Sequence, residues 1–172
     1  MSLMLGLPGR LGTLHASHVM TSDVLSLRTT ETLADALHKL QERHISGAPV
    51  INEAGELVGI LSFSDIVEYE VPESKLKSPA IGSYPDWPSL WKMIEAAEQG
   101  PQIDLNDTVE KHMTRNVKSV SKSTNLVEMA RMMCDGHWHH LPVIDSVGKL
   151  VGIVTTMDIM AALVHAADER NY

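Results

Sequence analysis

The sequence predicts a mixed α/β (α+β) fold made of two copies of one strand–helix–strand–strand–helix unit. Shifting the 172-residue chain by 93 positions aligns Met20–Val67 with Met113–Met160 without a gap, and 16 of the 48 paired positions are identical. A gapless match of this length indicates duplicated structure. We therefore expect a first repeat at 14–71, a second repeat at 107–168 and an insert at 72–106 between them.

The first helix of each repeat is predicted from an apolar stripe with the spacing i, i+3, i+4 and i+7. The stripe consists of Leu33, Ala36, Leu37 and Leu40 in the first repeat, and of Leu126, Met129, Ala130 and Met133 in the second. Thr32, with Asp35 three residues later, marks the start of the first helix. Asn125 and Glu128 occupy the same positions in the second repeat. We expect the methionines to fill the core, and Cys134 to be buried on the same stripe.

Two short apolar runs follow each of these helices and predict a β-hairpin. The runs are Ala48–Ile51 and Leu57–Leu61 in the first repeat, and Leu141–Ile144 and Leu150–Val154 in the second. A four-residue polar turn that ends in Gly55 or Gly148 joins the two runs. A closing helix is expected from about Ser64 or Met157, and in the first repeat it should stop before Pro72.

The insert at 72–106 contains five prolines and has no counterpart in either repeat, so it is expected to be mostly irregular. Pro88–Ala97 predicts a short helix with proline in its first turn. Trp87 and Trp91 are expected to pack this segment onto the body of the protein, and an interface role is the alternative.

Composition and charge exclude several classes of protein. With 14 basic and 22 acidic residues and a net charge of −8, the chain lacks the basic face that nucleic-acid phosphates require. No apolar run approaches the roughly 18 residues of a membrane span, and the first residues lack the features of a signal peptide. The single cysteine excludes an internal disulfide and fits a reducing compartment. We therefore expect a cytoplasmic protein that binds neither nucleic acid nor membranes.

The most informative motif is a glycine followed by two apolar residues, a Ser or Thr, two further residues and an aspartate. It occurs at Gly59–Asp65 and again at Gly152–Asp158. The hydroxyl and the carboxylate both fall at a predicted helix N-terminus, where backbone N–H groups and the helix dipole favour an anion. A hydroxyl can donate to a phosphate oxygen, and a carboxylate can accept from two ribose hydroxyls. The alternative is a simple helix cap, but two copies in the same frame favour a ligand site.

With these motifs the sequence resembles the tandem cystathionine β-synthase (CBS) domain pair, or Bateman module. The resembling elements are Met-Thr before the first strand, Pro-Val-Ile in the second, and Leu-Val-Gly-Ile followed by Ser/Thr-x-x-Asp-Ile. The resemblance implies two repeats in a pseudo-twofold arrangement, with their sheets packed together and two clefts between them. Many such modules bind AMP, ADP, ATP or S-adenosylmethionine there, pair into homodimers, and regulate an attached or partner protein without chemistry of their own. We expect no required cofactor.

The resemblance also assigns residues to the two clefts. In the main cleft Thr155 and Asp158 would take phosphate and ribose, and the backbone near Asp23 would hold adenine. The full set for the main cleft is Asp23, Leu25, Ile45, His139, His140, Thr155, Met157 and Asp158. The set for the second cleft is Ser62, Ser64, Asp65, Asn116, Lys118 and Trp138. Trp138 would either stack on a base or be buried as a hydrophobic side chain.

The two clefts are not expected to be equivalent. One nucleotide-sensing member of the family carries a His-Arg pair just before the second strand. This chain has His139-His140 at these positions in the second repeat and Ser46-Gly47 in the first. The missing arginine argues against tight polyphosphate binding, because histidine is mostly neutral at pH 7. We therefore expect AMP or ADP to bind the main cleft first.

Two other functions stay open from the sequence. His137–His140 would suit a metal-binding sensor, and His15 and His18 could share a helix face, but neighbouring strand side chains point to opposite faces. A dimeric interaction module without a nucleotide ligand is the other alternative. An enzyme is not expected, because no Gly-x-x-x-x-Gly-Lys-Ser/Thr loop occurs and Cys134 is not in an activating position. The regulated partner would be a separate, unidentified protein.

Overall fold

The computed structural model describes residues 9–68 and 104–168, which belong to two compact units. The first-repeat unit comprises residues 25–117, and the second-repeat unit comprises residues 1–24 together with 118–172. After a 3₁₀ turn, the described elements in chain order are α1 (Ala16–Val19), β1 (Leu27–Arg28), α2 (Leu33–Glu42), β2 (Gly47–Ile51), β3 (Leu57–Ser62), α3 (Phe63–Glu68), α4 (Val109–His112), β4 (Val120–Ser121), α5 (Leu126–Gly136), β5 (His140–Ile144), β6 (Leu150–Thr155) and α6 (Thr156–Asp168).

Both repeats have the predicted order of strand, helix, strand, strand and helix. In each three-stranded sheet, the first strand is parallel to the middle strand and the third is antiparallel to it. The registers are also equivalent, since Leu27 pairs with Val50 in one sheet and Val120 pairs with Val143 in the other. The 93-residue offset therefore also holds for strand pairing: two residues that pair in one sheet correspond to two residues that pair in the other.

Helices α2 and α5 begin at the predicted caps. Thr32 Oγ1 accepts a hydrogen bond from the Asp35 backbone N–H at 3.1 Å and donates to Asp35 Oδ2 at 2.9 Å. In the second repeat, Asn125 Oδ1 accepts from the Val127 N–H at 2.8 Å. These bonds satisfy donors that the first helical turn leaves without partners. The apolar stripes face the core as predicted, with Leu33, Ala36, Leu37, Leu40, Leu126, Met129 and Met133 buried and Ala130 partly buried.

The two hairpin turns are built alike, and both predicted hairpins are confirmed. Asn52 Oδ1 accepts from two backbone N–H groups of its turn at 3.0 Å each, and Asp145 Oδ1 accepts from two at 3.0 and 2.9 Å. Gly55 and Gly148 have φ angles of 82° and 83°, a region that side chains with a Cβ rarely adopt. The polar turn sequences thus fix the strand register in both repeats.

The opening segment of each repeat belongs to the compact unit of the other repeat. Thr21 exchanges two backbone hydrogen bonds of 2.9 Å with Ile153, so the first residues of the first repeat, up to residue 24, belong to the second-repeat unit. Thr114 exchanges bonds of 2.8 and 3.0 Å with Ile60, within the first-repeat unit. The sequence repeats and the compact units therefore have different boundaries.

Cys134 is exposed, so the prediction that it is buried on the α5 stripe was wrong. The buried face of α5 carries Leu126, Met129 and Met133. Cys134 follows Met133 by one residue, a rotation of about 100° around the helix axis, which carries its side chain off the buried face. The methionines at 129 and 133 do fill the core, as predicted.

The closing helices α3 and α6 begin at Phe63 and Thr156, one residue earlier than the sequence predicted. The proline-rich stretch from 72 to 103 lies outside the described residues, together with Trp87, Trp91 and the predicted helix Pro88–Ala97. Among the described residues, no helix is both long and apolar enough to cross a membrane.

Candidate functional site

Thr155 and Asp158 meet where strand β6 passes into helix α6. Asp158 Oδ2 accepts two hydrogen bonds from Thr155, one from its backbone N–H at 2.7 Å and one from its hydroxyl at 2.8 Å. The Asp158 N–H donates back to Thr155 Oγ1 at 3.3 Å, so the pair does cap the helix. In the described part of the chain, Asp158 Oδ1 accepts no hydrogen bond. The carboxylate therefore fulfils its capping role with one oxygen, and its other oxygen accepts no hydrogen bond from the described residues.

His140 lies beside this pair. It is paired with Thr155 across strands β5 and β6, and side chains directly opposite each other share one face of a sheet. Desolvation by surrounding protein atoms lowers the pKa of His140, and the neighbouring His139 lowers it further, whereas the Asp158 carboxylate acts to raise it. His140 is therefore mostly neutral at pH 7 until an additional negative charge approaches.

The first repeat has a similar turn, but its carboxylate is more heavily engaged. Asp65 Oδ2 accepts from the Ser62 N–H at 2.7 Å and from the Ser62 hydroxyl at 2.5 Å. The Thr114 hydroxyl donates to Asp65 Oδ1 at 2.5 Å. Both oxygens of Asp65 thus accept hydrogen bonds from the protein, whereas among the described residues hydrogen bonds reach only one oxygen of Asp158.

The first repeat also lacks space for a side chain at the position equivalent to His140. Gly47 is paired with Ser62, and a Cβ atom at Gly47 would lie 2.9 Å from the Leu61 carbonyl oxygen and 3.0 Å from Ser62 Cβ. The first distance is shorter than real Cβ contacts and is to a backbone atom, and the second is tighter than nine in ten such contacts. The first repeat therefore offers neither the imidazole nor the room for one at this position.

Comparison with known proteins identifies the family. The CBS domain matches the chain twice, at residues 16–71 and 108–165. The chain belongs to the CBS domain family. Its two matches make it a tandem CBS domain pair, as the repeated motifs predicted.

Relatives of this CBS protein occur in plants and archaea. It is 31% identical over 140 residues to the chloroplastic CBS domain-containing protein CBSX1 of Arabidopsis thaliana, covering 81% of this chain and 59% of the relative. It is 34% identical over 136 residues to an uncharacterized protein of Methanocaldococcus jannaschii, covering 77% of this chain and 81% of that one. The chain spans 59% and 57% of the lengths of the plant relatives CBSX1 and CBSX2.

A solved structure of a plant CBS protein is among those similar to this CBS pair in both fold and sequence. The crystal structure of Arabidopsis thaliana CBSX2 in complex with AMP has a TM-score of 0.64 and 26% sequence identity. The match covers 88% of this chain and 96% of the crystallised CBSX2 chain.

The remaining residues predicted for the main CBS cleft divide between the two units. Asp23 and Met157 belong to the second-repeat unit with Thr155, and both are exposed, Met157 to 67%. Leu25 and Ile45 belong to the first-repeat unit, where they pack partly buried against its core. The proposed adenine contacts of these residues stay predictions.

The residues predicted for the second cleft also divide between the units. Asn116 lies in the first-repeat unit with Ser62 and Asp65, and has a φ of 60°. Ser64 lies in helix α3, but its side chain is outside the described part of the chain. Exposed Lys118 belongs to the second-repeat unit together with Trp138.

Trp138 is 42% exposed, so the alternative that it is a buried hydrophobic side chain was wrong. Its indole ring lies over Gly136, where a Cβ atom would come within 2.5 Å of the ring. His137, with a φ of 53°, turns the chain between them after helix α5. The Trp138 side chain is thus partly open to solvent, and base stacking stays a prediction.

The histidine pairs do not assemble a recognisable metal centre in the described residues. No group of three or more His, Cys, Asp and Glu side chains there lies close enough to hold a metal ion. His15 and His18 do come together at the start of α1, but His18 Nδ1 accepts from the His15 N–H at 3.0 Å. That bond gives the pair a local capping role at the helix start.

Proposed function

We propose that this CBS-pair protein binds an adenosine nucleotide at the Thr155/Asp158 site and transmits its presence to a partner protein. AMP or ADP is favoured over ATP and S-adenosylmethionine. The observation that carries the proposal is the convergence of His140, Thr155 and Asp158, with one Asp158 oxygen left as a hydrogen-bond acceptor.

Each group has a distinct task in this proposal. Asp158 Oδ1 has two acceptor positions, which suit the vicinal hydroxyls of a ribose. Thr155 supplies a hydroxyl that can turn from Asp158 towards a phosphate oxygen, and His140 supplies an imidazole that gains charge as the phosphate approaches. Hydrogen bonds between charged partners are about twice as strong as neutral ones, so the phosphate would benefit most from a protonated His140.

The preference for AMP or ADP follows from the number of side chains at the site that can carry a positive charge. The second repeat offers His139 just before strand β5 and His140 as its first residue, with no arginine at either position. Two imidazoles neutralise a monophosphate or diphosphate more readily than the larger charge of ATP. The AMP complex of CBSX2, which is similar to this chain at 26% identity, supports an adenosine ligand.

The proposed output is regulation without catalysis. A ligand that binds one conformation more tightly shifts the population towards it, and a partner that distinguishes the conformations responds. Binding of AMP or ADP would make the protein a sensor of cellular energy. We further propose a homodimer and a cytoplasmic location. The homodimer is supported by exposed apolar residues on α6, and the location by a lone, exposed Cys134 that suits a reducing compartment.

A thermal-shift series tests the proposal. AMP, ADP, ATP, S-adenosylmethionine, NAD and adenosine are added separately to the full chain, each over a range of concentrations. A ligand at 100 times its dissociation constant stabilises the folded state by about 2.7 kcal/mol. The proposal predicts the largest upward shift with AMP or ADP. No shift with any of these compounds would overturn it and would favour the ligand-free interaction module.

A further inference from the structure

Asp65 and Asp158 differ in how many of their acceptor positions are left unused by hydrogen bonds from the described residues. On each aspartate, Oδ2 accepts two bonds from the Ser or Thr three residues earlier and has no lone pair left. On Asp65, Oδ1 also accepts the Thr114 hydroxyl, which leaves one position. On Asp158, no described residue donates to Oδ1, so both of its positions remain. A ribose diol needs two acceptor positions, and while these bonds are in place Asp158 provides both on one oxygen, whereas Asp65 provides only one.

The difference arises from side chains, because the backbone pairing is the same. Thr114 pairs with Ile60, and its counterpart Thr21 pairs with Ile153, through two backbone hydrogen bonds in each case. In the described residues, the Thr21 hydroxyl makes no hydrogen bond to Asp158. The chain after Thr114 turns through Asn116 in the left-handed region, whereas the equivalent Asp23 is not left-handed. The two threonines thus share a sequence motif and a backbone pairing, but the chain after each of them follows a different path.

We propose that the Thr114 hydroxyl blocks the Ser62/Asp65 site, so that the protein binds one nucleotide per chain instead of two. This inference rests on the proposed function, because it concerns where an adenosine ligand binds. A ligand that binds Asp65 must first break the 2.5 Å hydrogen bond from the Thr114 hydroxyl to Asp65 Oδ1. Thr114 therefore determines whether this site is occupied. Hydrogen bonds to charged groups contribute strongly to stability, so this competition disfavours ligand at the first repeat.

The test is the stoichiometry of AMP binding, measured by isothermal titration calorimetry on the full chain. Wild type is expected to bind one AMP, and Thr114→Val, which removes the hydroxyl and keeps the shape, is expected to bind two. Thr114→Ser keeps a hydroxyl and should bind one. Thr21→Val is the matched control in the second-repeat unit and should also bind one.

Two further variants keep the test decisive. Thr114→Ala removes the same hydroxyl in a smaller side chain and replaces Thr114→Val if that variant does not fold. Thr114→Val combined with Asp158→Ala should still bind one AMP, now at Asp65. Two AMP molecules on wild type, or one on both hydroxyl-free variants, would overturn the blocking role and leave the proposed function intact. No binding by any variant would overturn both.

Discussion

A Cβ atom at Gly59 would lie 2.6 Å from Sδ of Met113 and 2.9 Å from the Thr114 carbonyl oxygen. A glycine is thus required at position 59, in the repeated Leu-Val-Gly-Ile motif, because the repeated Met-Thr pair approaches it closely. The equivalent Gly152 faces Met20 Sδ at 2.6 Å, but the Thr21 carbonyl oxygen is farther away, at 3.2 Å. The sequence repeats these motifs together because they pack against each other.

Gly59→Ala is therefore expected to destabilise the protein by about 1–3 kcal/mol, the range for overpacked sites. Gly152→Ala should cost less, because its backbone neighbour, the Thr21 carbonyl oxygen, is farther away at 3.2 Å, and the flexible Met20 side chain can move. Gly12→Ala is the control, since nothing lies within 4 Å of a Cβ there. Chemical denaturation measures all three. Equal stability of Gly59→Ala and Gly12→Ala would contradict this account of the motif.

Nucleotide affinity should depend on pH through His140. Its pKa is lowered in the free protein, chiefly by desolvation, and a bound phosphate would raise it. The complex then holds more protons than the free protein, so affinity for AMP should rise as the pH falls from about 8 towards about 6.5. Calorimetry at several pH values measures this change.

Two controls isolate the imidazole in that experiment. The phosphate of AMP itself titrates near pH 6, so the AMP affinities are compared only above that pH. His140→Gln should flatten the dependence, and adenosine, which has no phosphate, should show little dependence with the native protein. An unchanged slope in His140→Gln would show that His140 does not contact the phosphate.

The proposed homodimer can be tested on helix α6. Met157, Met160 and Val164 are 67%, 56% and 61% exposed and share one helix face at the spacing i, i+3 and i+7. Exposed apolar stripes of this kind are typical of interaction surfaces. Met160→Glu should shift the protein from dimer to monomer in analytical ultracentrifugation. Val147→Glu, in the turn between β5 and β6 and 63% exposed, is the control. A monomeric wild type would contradict the homodimer.

Much of the fold was predictable because local chemistry and periodicity act over short distances. The Thr32 and Asn125 caps, the apolar stripes and the glycine turns each depend on a few neighbouring residues, and the structure confirms them. The position of Cys134 was mispredicted because one residue of helix rotation separates a buried from an exposed side chain.

The site was predictable only in part. The Ser/Thr-x-x-Asp motif indicated which groups meet within each turn, and Thr155 and Asp158 do meet. The bond from Thr114 to Asp65 spans 49 residues, and no sequence pattern distinguishes Thr114 from Thr21, which follows methionine in the same way. The repeat did align both threonines with the two sites, but only the folded structure shows which hydroxyl reaches its carboxylate.

The central claim is that Asp158 binds the ribose of an adenosine nucleotide. Its most direct test is the AMP affinity of Asp158→Asn by calorimetry, with Asp135→Asn, an exposed aspartate on α5, as the charge-matched control. A lost hydrogen bond to a charged group costs about 1.5–3 kcal/mol, so Asp158→Asn should weaken AMP binding about 10- to 150-fold. Asp135→Asn should leave the affinity unchanged. An unchanged affinity in a folded Asp158→Asn protein would contradict the account.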